Sequence, residues 1–217
     1  MIRKFNERHG VYIEEIAGQK KLAFSKSEMD DFYDMIQLSK QGNYRGSVLQ
    51  FYDFENGKIY RPFERRKNII YGNPIFSKGD YYFLQGDYDT GNITLYKFFP
   101  NKILEKVTVL SMEKIDLYNL QLIGNDVHII SQNELFRCYY PEQFTFSLES
   151  EENVCLIEEK CVYSEKWIEE GWDEENNCAT ENYKFYYKTL IRDFNGNIIS
   201  EEIGLLYQNI DGTWWIA

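Results

Sequence analysis

The chain has 217 residues, and its 43% of hydrophobic residues is enough for one sizeable core or two small ones. Its formal net charge of −11 argues against non-specific binding to nucleic acid or to an anionic membrane, because phosphate groups would be repelled. The 18 Tyr and 15 Phe favour sheet over helix.

The N-terminal stretch lacks the apolar segment of a signal peptide, and no stretch approaches the roughly 18 apolar residues that span a bilayer. We therefore expect a cytoplasmic protein with reduced cysteines and no membrane partner. The cysteines lack the CxxC spacing of a zinc site, and only two histidines could complete one, so we expect no metal and no cofactor. The four cysteines are Cys138, Cys155, Cys161 and Cys178.

One pattern occurs five times along the chain: an alternating run that reaches an aromatic residue, a few turn-forming residues and a second alternating run. Asn-Gly and Pro-Asn pairs in the turns are typical of tight hairpins, so each copy predicts a β-hairpin with its aromatic residue in an equivalent position. The stretches are 2–16, 51–63, 95–107, 136–148 and 191–203, with aromatic residues Phe5, Phe54, Phe98, Tyr139 and Phe194.

A second repeated unit consists of a short apolar strand, a polar turn and another apolar strand. It occurs at residues 21–35, 73–84, 120–130, 155–165 and 205–216. In the first copy, the spacing of Met29, Phe32, Tyr33 and Ile36 also suits one face of a helix. The similarity of this segment to residues 77–87 outweighs that spacing and predicts a strand.

Two hairpins make a four-stranded antiparallel unit of about 40–45 residues, the size of one propeller blade. Four units fit between residues 19 and 204, and a half unit remains at each end. The sequence thus resembles an all-β repeat architecture, the five-bladed β-propeller of four-stranded antiparallel blades. The resemblance implies a single domain, residues 1–217, whose fifth blade combines residues 205–217 with residues 1–17 and closes the ring. An all-β sandwich or barrel is the alternative, because many short strands with turn signals also describe those folds.

In a propeller, the loops after the second and fourth strands of each blade share one face, and loops on a rigid scaffold commonly bind ligands. An outsized segment, residues 163–184, adds two Trp and seven acids to this face. We expect it to form an extended hairpin with at least one Trp more than half exposed. The candidate binding residues are Trp167 and Trp172 from this segment, with Tyr44, Arg45, Arg65, Arg66, Tyr88 and Asp89 from other loops.

These residues also have plainer interpretations: a Trp that packs on its own blade, or Arg side chains that only balance neighbouring acids. The sequence contains no GxSxG and no P-loop motif, and no Cys and His that the repeat brings together. We therefore expect a non-catalytic binding or scaffold module, whose acidity suits a protein partner with a basic surface. The alternative is a carbohydrate-binding or glycoside-acting propeller, whose chemistry needs two carboxyl groups about 5–10 Å apart at the central channel.

Overall fold

The structure is a computed structural model in which residues 2–28, 31–42 and 44–217 are described. Short antiparallel strands dominate it, and strands that follow one another along the chain pair within five successive sheets. We number these sheets 1 to 5 in chain order. No described helix has both the length and the hydropathy required to cross a membrane.

Sheets 1 and 2 are antiparallel meanders from the first half of the chain. Sheet 1 contains β1 (Glu14–Glu15), β2 (Leu22–Lys26), β3 (Leu49–Asp53) and β4 (Ile59–Tyr60), with helix α1 (Met35–Lys40) between β2 and β3. Sheet 2 contains β5 (Ile69–Tyr71), β6 (Ile75–Ser77), β7 (Asp80–Asp87), β8 (Asn92–Phe99) and β9 (Ile103–Ser111). Strands β5 and β6 both pair with β7, and a short 3-10 helix (Met112–Lys114) follows β9.

Sheets 3, 4 and 5 follow in the second half. Sheet 3 contains β10 (Gln121–Ile123), β11 (His128–Gln132), β12 (Leu135–Tyr140) and β13 (Phe144–Ser147). Sheet 4 contains β14 (Glu152–Glu158), β15 (Cys161–Asp173), β16 (Cys178–Arg192) and β17 (Ile198–Ile203). Sheet 5 has only two strands, β18 (Leu206–Gln208) and β19 (Trp214–Ile216).

Neighbouring sheets share hydrophobic cores, and successive residues of one strand enter different cores. In β7, Phe83 packs in the core shared with sheet 1, whereas Leu84 packs in the core shared with sheet 3. Side chains alternate between the two faces of a strand, and both of these are fully buried. A third core, between sheets 3 and 4, contains Phe136 and Val162. Sheets 2 and 3 are therefore each covered on both faces.

This arrangement confirms an all-β fold built from repeated four-stranded antiparallel sheets. The paired hairpins predicted over residues 73–107, 120–148 and 155–203 correspond to sheets 2, 3 and 4. Within the described part of the chain no sheet closes on itself. The strand pairing therefore shows the repeated unit and does not show a closed ring of blades.

The predicted N-terminal hairpin is wrong, because residues 2–13 form no strand and β1 is only the pair Glu14–Glu15, hydrogen-bonded to β2. This segment lies instead along sheet 1. The ring of Phe5 meets that of Tyr52 edge-on, with 5.2 Å between centroids, and the backbone N–H of Asn6 donates to the β3–β4 turn at 2.8 Å. An aromatic contact with sheet 1 thus takes the place of strand pairing.

The first and last sheets nevertheless meet. Gly18 and Gly212 both have positive φ, and a Cβ on either would lie 3.5–3.8 Å from the Cα of the other. Among the described strands, β18 and β19 pair only with each other. The structure therefore does not show the predicted fifth blade shared between residues 1–17 and 205–217.

The strand predicted near residue 35 is also wrong, because residues 35–40 form α1. Residues 29 and 30 lie outside the described part of the chain, and after them Phe32 and Met35 enter the core between sheets 2 and 3. Both side chains are at most 3% exposed, and a spacing of three residues places them on one side of a helical turn. The helical periodicity was the correct signal here.

Candidate functional site

The segment predicted to project, residues 163–184, lies within the β15–β16 hairpin of sheet 4. Strand β14 pairs with β15 only as far as Lys166, and β17 pairs with β16 only from Lys188 onward. Between these points the two strands pair, among the described strands, only with each other. We refer to this two-stranded part, residues 167–187, as the projecting hairpin, and it confirms the extended hairpin predicted from the sequence.

One face of the projecting hairpin, which we name the aromatic face, carries five aromatic side chains. Trp167 pairs directly with Tyr187, so the two lie on the same face of the hairpin. Phe185 and Tyr183 lie two and four residues before Tyr187 on β16, and such residues share a face. The ring of Tyr183 meets that of Trp172 edge-on, with 5.8 Å between their centroids. The aromatic face therefore runs from the base of the projecting hairpin almost to its tip.

The expectation that one Trp would be more than half exposed is wrong. Trp172 is 42% exposed, because the ring of Tyr183 packs against it, and Trp167 is partly buried opposite Tyr187. Phe185, at 61%, is the most exposed side chain of the aromatic face. Side chains that we did not single out from the sequence therefore carry much of the exposed aromatic surface.

The opposite face of the projecting hairpin is charged and paired within itself. Lys184 Nζ lies 2.9 Å from Glu170 Oε2, and the Tyr186 hydroxyl donates to Glu170 Oε1 at 2.7 Å. These two hydrogen bonds, that of Lys184 first, lower the pKa of Glu170. At the base, Lys188 and Glu201 form a further pair at 3.0 Å. The two faces therefore differ: the charged groups have partners on their own sheet, whereas much of the aromatic surface meets solvent.

A buried ion pair holds the base of the projecting hairpin in sheet 4. Arg192 on β16 donates from Nε and Nη2 to the two carboxylate oxygens of Glu152 on β14, at 2.8 and 2.7 Å. The Glu152 side chain is fully buried, and the Ser164 hydroxyl on β15 donates to it at 2.5 Å. Because a buried charge is tolerated only with such partners, these contacts tie three strands together where the hairpin begins.

Asp173 orders the turn at the tip. Its carboxylate accepts hydrogen bonds from the backbone N–H groups of Glu175 and Asn176, at 3.0 and 3.1 Å, and from Asn176 Nδ2 at 2.9 Å. These bonds, that of the Asn176 side chain first, lower the pKa of Asp173. Asp53 makes the same set of contacts in the β3–β4 turn. Asp193, just after β16, makes similar contacts to Asn195 and to Asn197, which lies four residues on and not three. An Asp at or just after the end of a strand therefore orders three hairpin turns in a similar way.

The other six candidate residues come together between sheets 1 and 2, and several of them hold the chain in place. Tyr44 is buried, and its carbonyl accepts the backbone N–H of Asn68 at 3.2 Å. Arg65 donates to the Gly46 carbonyl at 2.8 Å. Arg45 donates to a Glu28 carboxylate at 3.1 Å, with 75% of its side chain exposed. Arg45 is the member of this group that is most open to solvent.

The remaining three members are also engaged. Arg66 lies 3.5 Å from the Asp87 carboxylate, and Asp89 accepts a hydrogen bond from Asn68 Nδ2 at 2.7 Å. The Tyr88 hydroxyl donates to the carbonyl of Phe32, and burial raises the pKa of Tyr88. These contacts fasten the connection between sheets 1 and 2, while Trp167 and Trp172 belong to sheet 4. The structure therefore separates the eight candidates into two groups.

A small cavity of about 170 Å³ receives residues from, or directly beside, strands of all five sheets. Phe76 on β6, Cys155 on β14 and Trp214 on β19 are among the residues that line it. Trp214 also donates from Nε1 to Asn125 Oδ1 at 3.2 Å. Burial, with Glu165 nearby, raises the pKa of the Cys155 thiol to about 12, so this thiol stays protonated at neutral pH. We refer to this space as the central cavity.

A polar pocket of about 290 Å³ adjoins the central cavity, because Ile75 and Leu122 line both. Burial raises the pKa of Asp31, the carboxyl group among the described residues that line this pocket. Glycoside hydrolysis uses two carboxyl groups about 5–10 Å apart. Among its described lining residues, the pocket offers the Asn73 and Asn119 side chains beside the Asp31 carboxyl group.

The aromatic face could have been found more completely from the sequence. The stretch from 183 to 187 reads Tyr-Lys-Phe-Tyr-Tyr, and a period of two places positions 183, 185 and 187 on one side of a strand. Comparison of the chain with protein-family models and with curated proteins gave no match.

Proposed function

We propose that this protein is a non-catalytic binding module that engages a protein partner through the aromatic face of its projecting hairpin. The proposal rests on a difference between the two faces of the hairpin in how far their side chains have partners within the sheet. Charged groups on one face have partners within the sheet, while Phe185, Trp172 and Tyr187 on the other are 61, 42 and 38% exposed. Contiguous exposed aromatic surface costs solubility and is typical of interaction sites.

The chemistry of the projecting hairpin also indicates the kind of partner. Large aromatic side chains supply most of the binding energy in protein interfaces, because they bury much area at a small entropy cost. The projecting hairpin also carries acids. Glu169 shares the aromatic face and accepts a hydrogen bond from the Tyr183 hydroxyl at 2.7 Å, and the others include Asp173, Glu174, Glu175 and Glu181. A partner with a basic rim around an apolar centre would be attracted at long range and held at short range. Such a partner matches the chain's net charge of −11.

The scaffold that we propose is a five-bladed propeller with a two-stranded fifth blade. The shared cores between neighbouring sheets and the central cavity lined from all five sheets support this arrangement. The contact between Gly18 and Gly212 joins the last sheet to the first. In such a ring, the projecting hairpin extends the loop between the second and third strands of blade four, which lies on the loop face.

Two adjacent tyrosines provide a matched test. Tyr187 belongs to the aromatic face and Tyr186 to the charged face, so Tyr187→Ala and Tyr186→Ala remove the same side chain from opposite sides. Binding partners would be captured from the native cell extract with each variant and with Phe185→Ala, and quantified by mass spectrometry. We expect a common partner to be lost with Tyr187→Ala and Phe185→Ala and retained with Tyr186→Ala. Equal recovery with all three variants would refute the proposal.

A further inference from the structure

A second and larger cleft, of about 560 Å³, lies between sheets 2, 3 and 4. Three turns line it: the β6–β7 turn with Lys78, the β10–β11 turn with Asp126 and the β14–β15 turn with Lys160. Such turns lie at the end of an antiparallel sheet opposite to the tip of the β15–β16 hairpin. The volume falls within the range of about 300–1,000 Å³ that is usual for small-molecule sites. This cleft is therefore separate from the aromatic face.

The floor of the cleft is apolar and its walls include aromatic rings. Leu95, which is fully buried, and Ile157 belong to the floor. The rings of Tyr82, Tyr140 and Phe194 line the sides. Aromatic faces beside an apolar floor suit a ligand that presents a flat, weakly polar surface, since such a surface displaces water from the rings.

His128 supplies a defined polar group to the cleft. Its Nδ1 lies 2.8 Å from the carbonyl oxygen of Asp126, and a carbonyl only accepts, so Nδ1 carries the hydrogen. Burial lowers the pKa of His128, which is therefore neutral at pH 7. In this tautomer Nε2 is an acceptor, and it makes no hydrogen bond within the described part of the chain. The cleft thus contains a fixed acceptor for a hydroxyl or amine hydrogen.

Acidic groups around the cleft outnumber Lys side chains by two, because Glu158 and Glu159 also line it and neither forms an ion pair with another described residue. Lys78 pairs with Asp126, and Lys97 pairs with Asp80 at 2.7 Å. The side chains of Lys160 and Glu142 form no ion pair or hydrogen bond with other described residues, and they add one donor group and one acceptor group to the rim. Hydrogen-bonding groups of both kinds are therefore available, with an excess of acidic ones.

We propose that this cleft binds a neutral sugar of one or two rings. A pyranose has hydroxyl groups that both donate and accept, which matches His128 Nε2, Glu142 and Lys160. It also has a C–H face that packs on aromatic rings such as those of Tyr82 and Tyr140. A neutral ligand is favoured over an anionic one because the lining has four acidic side chains and three Lys side chains. The site lies at the opposite end of the sheets from the surface proposed for the protein partner, so either proposal can fail alone.

The test is calorimetric titration of the full chain with glucose, galactose, mannose, N-acetylglucosamine, maltose and cellobiose, with glucosamine and glucose 6-phosphate as charged probes. We expect at least one neutral sugar to bind with a Kd below about 10 mM, which is the weak end of specific recognition. His128→Asn keeps a donor for the Asp126 carbonyl and removes the Nε2 acceptor. Loss of one neutral hydrogen bond should weaken binding about three- to tenfold.

Two further variants keep the test decisive if His128→Asn fails to fold. Glu142→Gln changes an exposed acceptor, and Tyr140→Ala removes a wall of the cleft; both should weaken binding of the same sugar. Tyr187→Ala, on the distant aromatic face, should leave the sugar affinity unchanged. The proposal is overturned if no neutral sugar binds, if a charged probe binds more tightly than every neutral sugar, or if the cleft variants bind like the parent protein.

Discussion

Sheets 2 and 4 are both antiparallel, with five and four strands, yet their central hairpins have different environments. Strands β7 and β8 have eight residues each and lie between sheets 1 and 3, so Phe83 and Leu95 are fully buried. Strands β15 and β16 have 13 and 15 residues and run past the strands on either side of them. The aromatic residue Tyr96 is 7% exposed in the first hairpin, whereas Tyr187 is 38% exposed in the second.

This difference shows that the neighbouring sheet, and not the strand's own sequence, decides whether an aromatic side chain is buried or exposed. Tyr96 and Tyr187 both occupy alternating strands rich in aromatic residues. Tyr96 packs in the core shared by sheets 1 and 2. Tyr187 lies beyond the last residue of β16 that β17 covers. Four predictions sharpen the contrast between a buried hairpin and a projecting one.

The largest effect is expected where sheet 2 is covered on both faces. Phe83→Ala should lower the free energy of unfolding by about 3–5 kcal/mol, because it leaves a cavity in a packed core. Phe185→Ala in the projecting hairpin should change it by less than about 0.5 kcal/mol. Urea denaturation of both variants measures the two values. Similar losses for the two substitutions would contradict the contrast.

The next effect concerns the base of the projecting hairpin. Glu152→Gln leaves the buried Arg192 charge with only the partly exposed Glu149 carboxylate, 3.3 Å away, as a counter-charge. The free energy of unfolding should fall by about 3 kcal/mol. The double variant Glu152→Leu with Arg192→Met removes both charges and should lose less than the single variant. Urea denaturation of the single and the double variant measures both free energies of unfolding. A double variant that is less stable than Glu152→Gln would show that the ion pair itself contributes most of the stability.

A smaller effect is expected when the projecting hairpin is shortened. Replacing residues 168–186 by an Asn-Gly turn leaves the Trp167 and Tyr187 pair at the end of the sheet and preserves the buried ion pair. The free energy of unfolding should then change by less than about 1–2 kcal/mol, because few core contacts are removed. Thermal and urea unfolding would measure it. A variant that no longer unfolds cooperatively would mean that the projecting hairpin supports the fold.

The smallest effect is expected at the tip. Cys178→Ser should change the free energy of unfolding by less than about 0.5 kcal/mol, because Cys178 is exposed. Cys138 is buried, and burial raises the pKa of its thiol to about 12, so it stays protonated. Iodoacetamide at pH 8 should therefore modify Cys178 far faster than Cys138 in the native protein. Mass spectrometry of the modified protein would show the order, and equal rates would indicate that the core opens readily.

The sequence predicted sheets 2, 3 and 4 well because their hairpins depend on local alternation and turn chemistry. The prediction from sequence was wrong where strand formation depends on a neighbouring strand. Residues 2–16 resemble residues 191–203, but β17 forms along β16, and residues 2–13 have no such strand beside them. The aromatic residues predicted to be equivalent also differ, since Phe98 is 5% exposed and Phe54 is 48% exposed.

The candidate site was predicted only in part, because the sequence shows local patterns and does not show contacts with neighbouring elements. The length and composition of residues 163–184 indicated a projecting hairpin, because local pattern is enough to predict one. Which of its side chains remain exposed depends on Tyr183, which packs on Trp172, and on the absence of a neighbouring strand beside Phe185. The predicted topology placed all eight candidates on one loop face, and the hydrogen bonds that tie Arg65 and Tyr88 to backbone carbonyls could not be read from the sequence.

The contact between Gly18 and Gly212 has a consequence for how the chain is made. Sheets 1 to 4 each consist of strands that follow one another, so each can form as it leaves the ribosome. The seam between sheet 5 and the β1–β2 turn must wait until residue 212 has been synthesised. Until then the β1–β2 turn lacks its contact with Gly212 and stays open to a chaperone or a nascent neighbour.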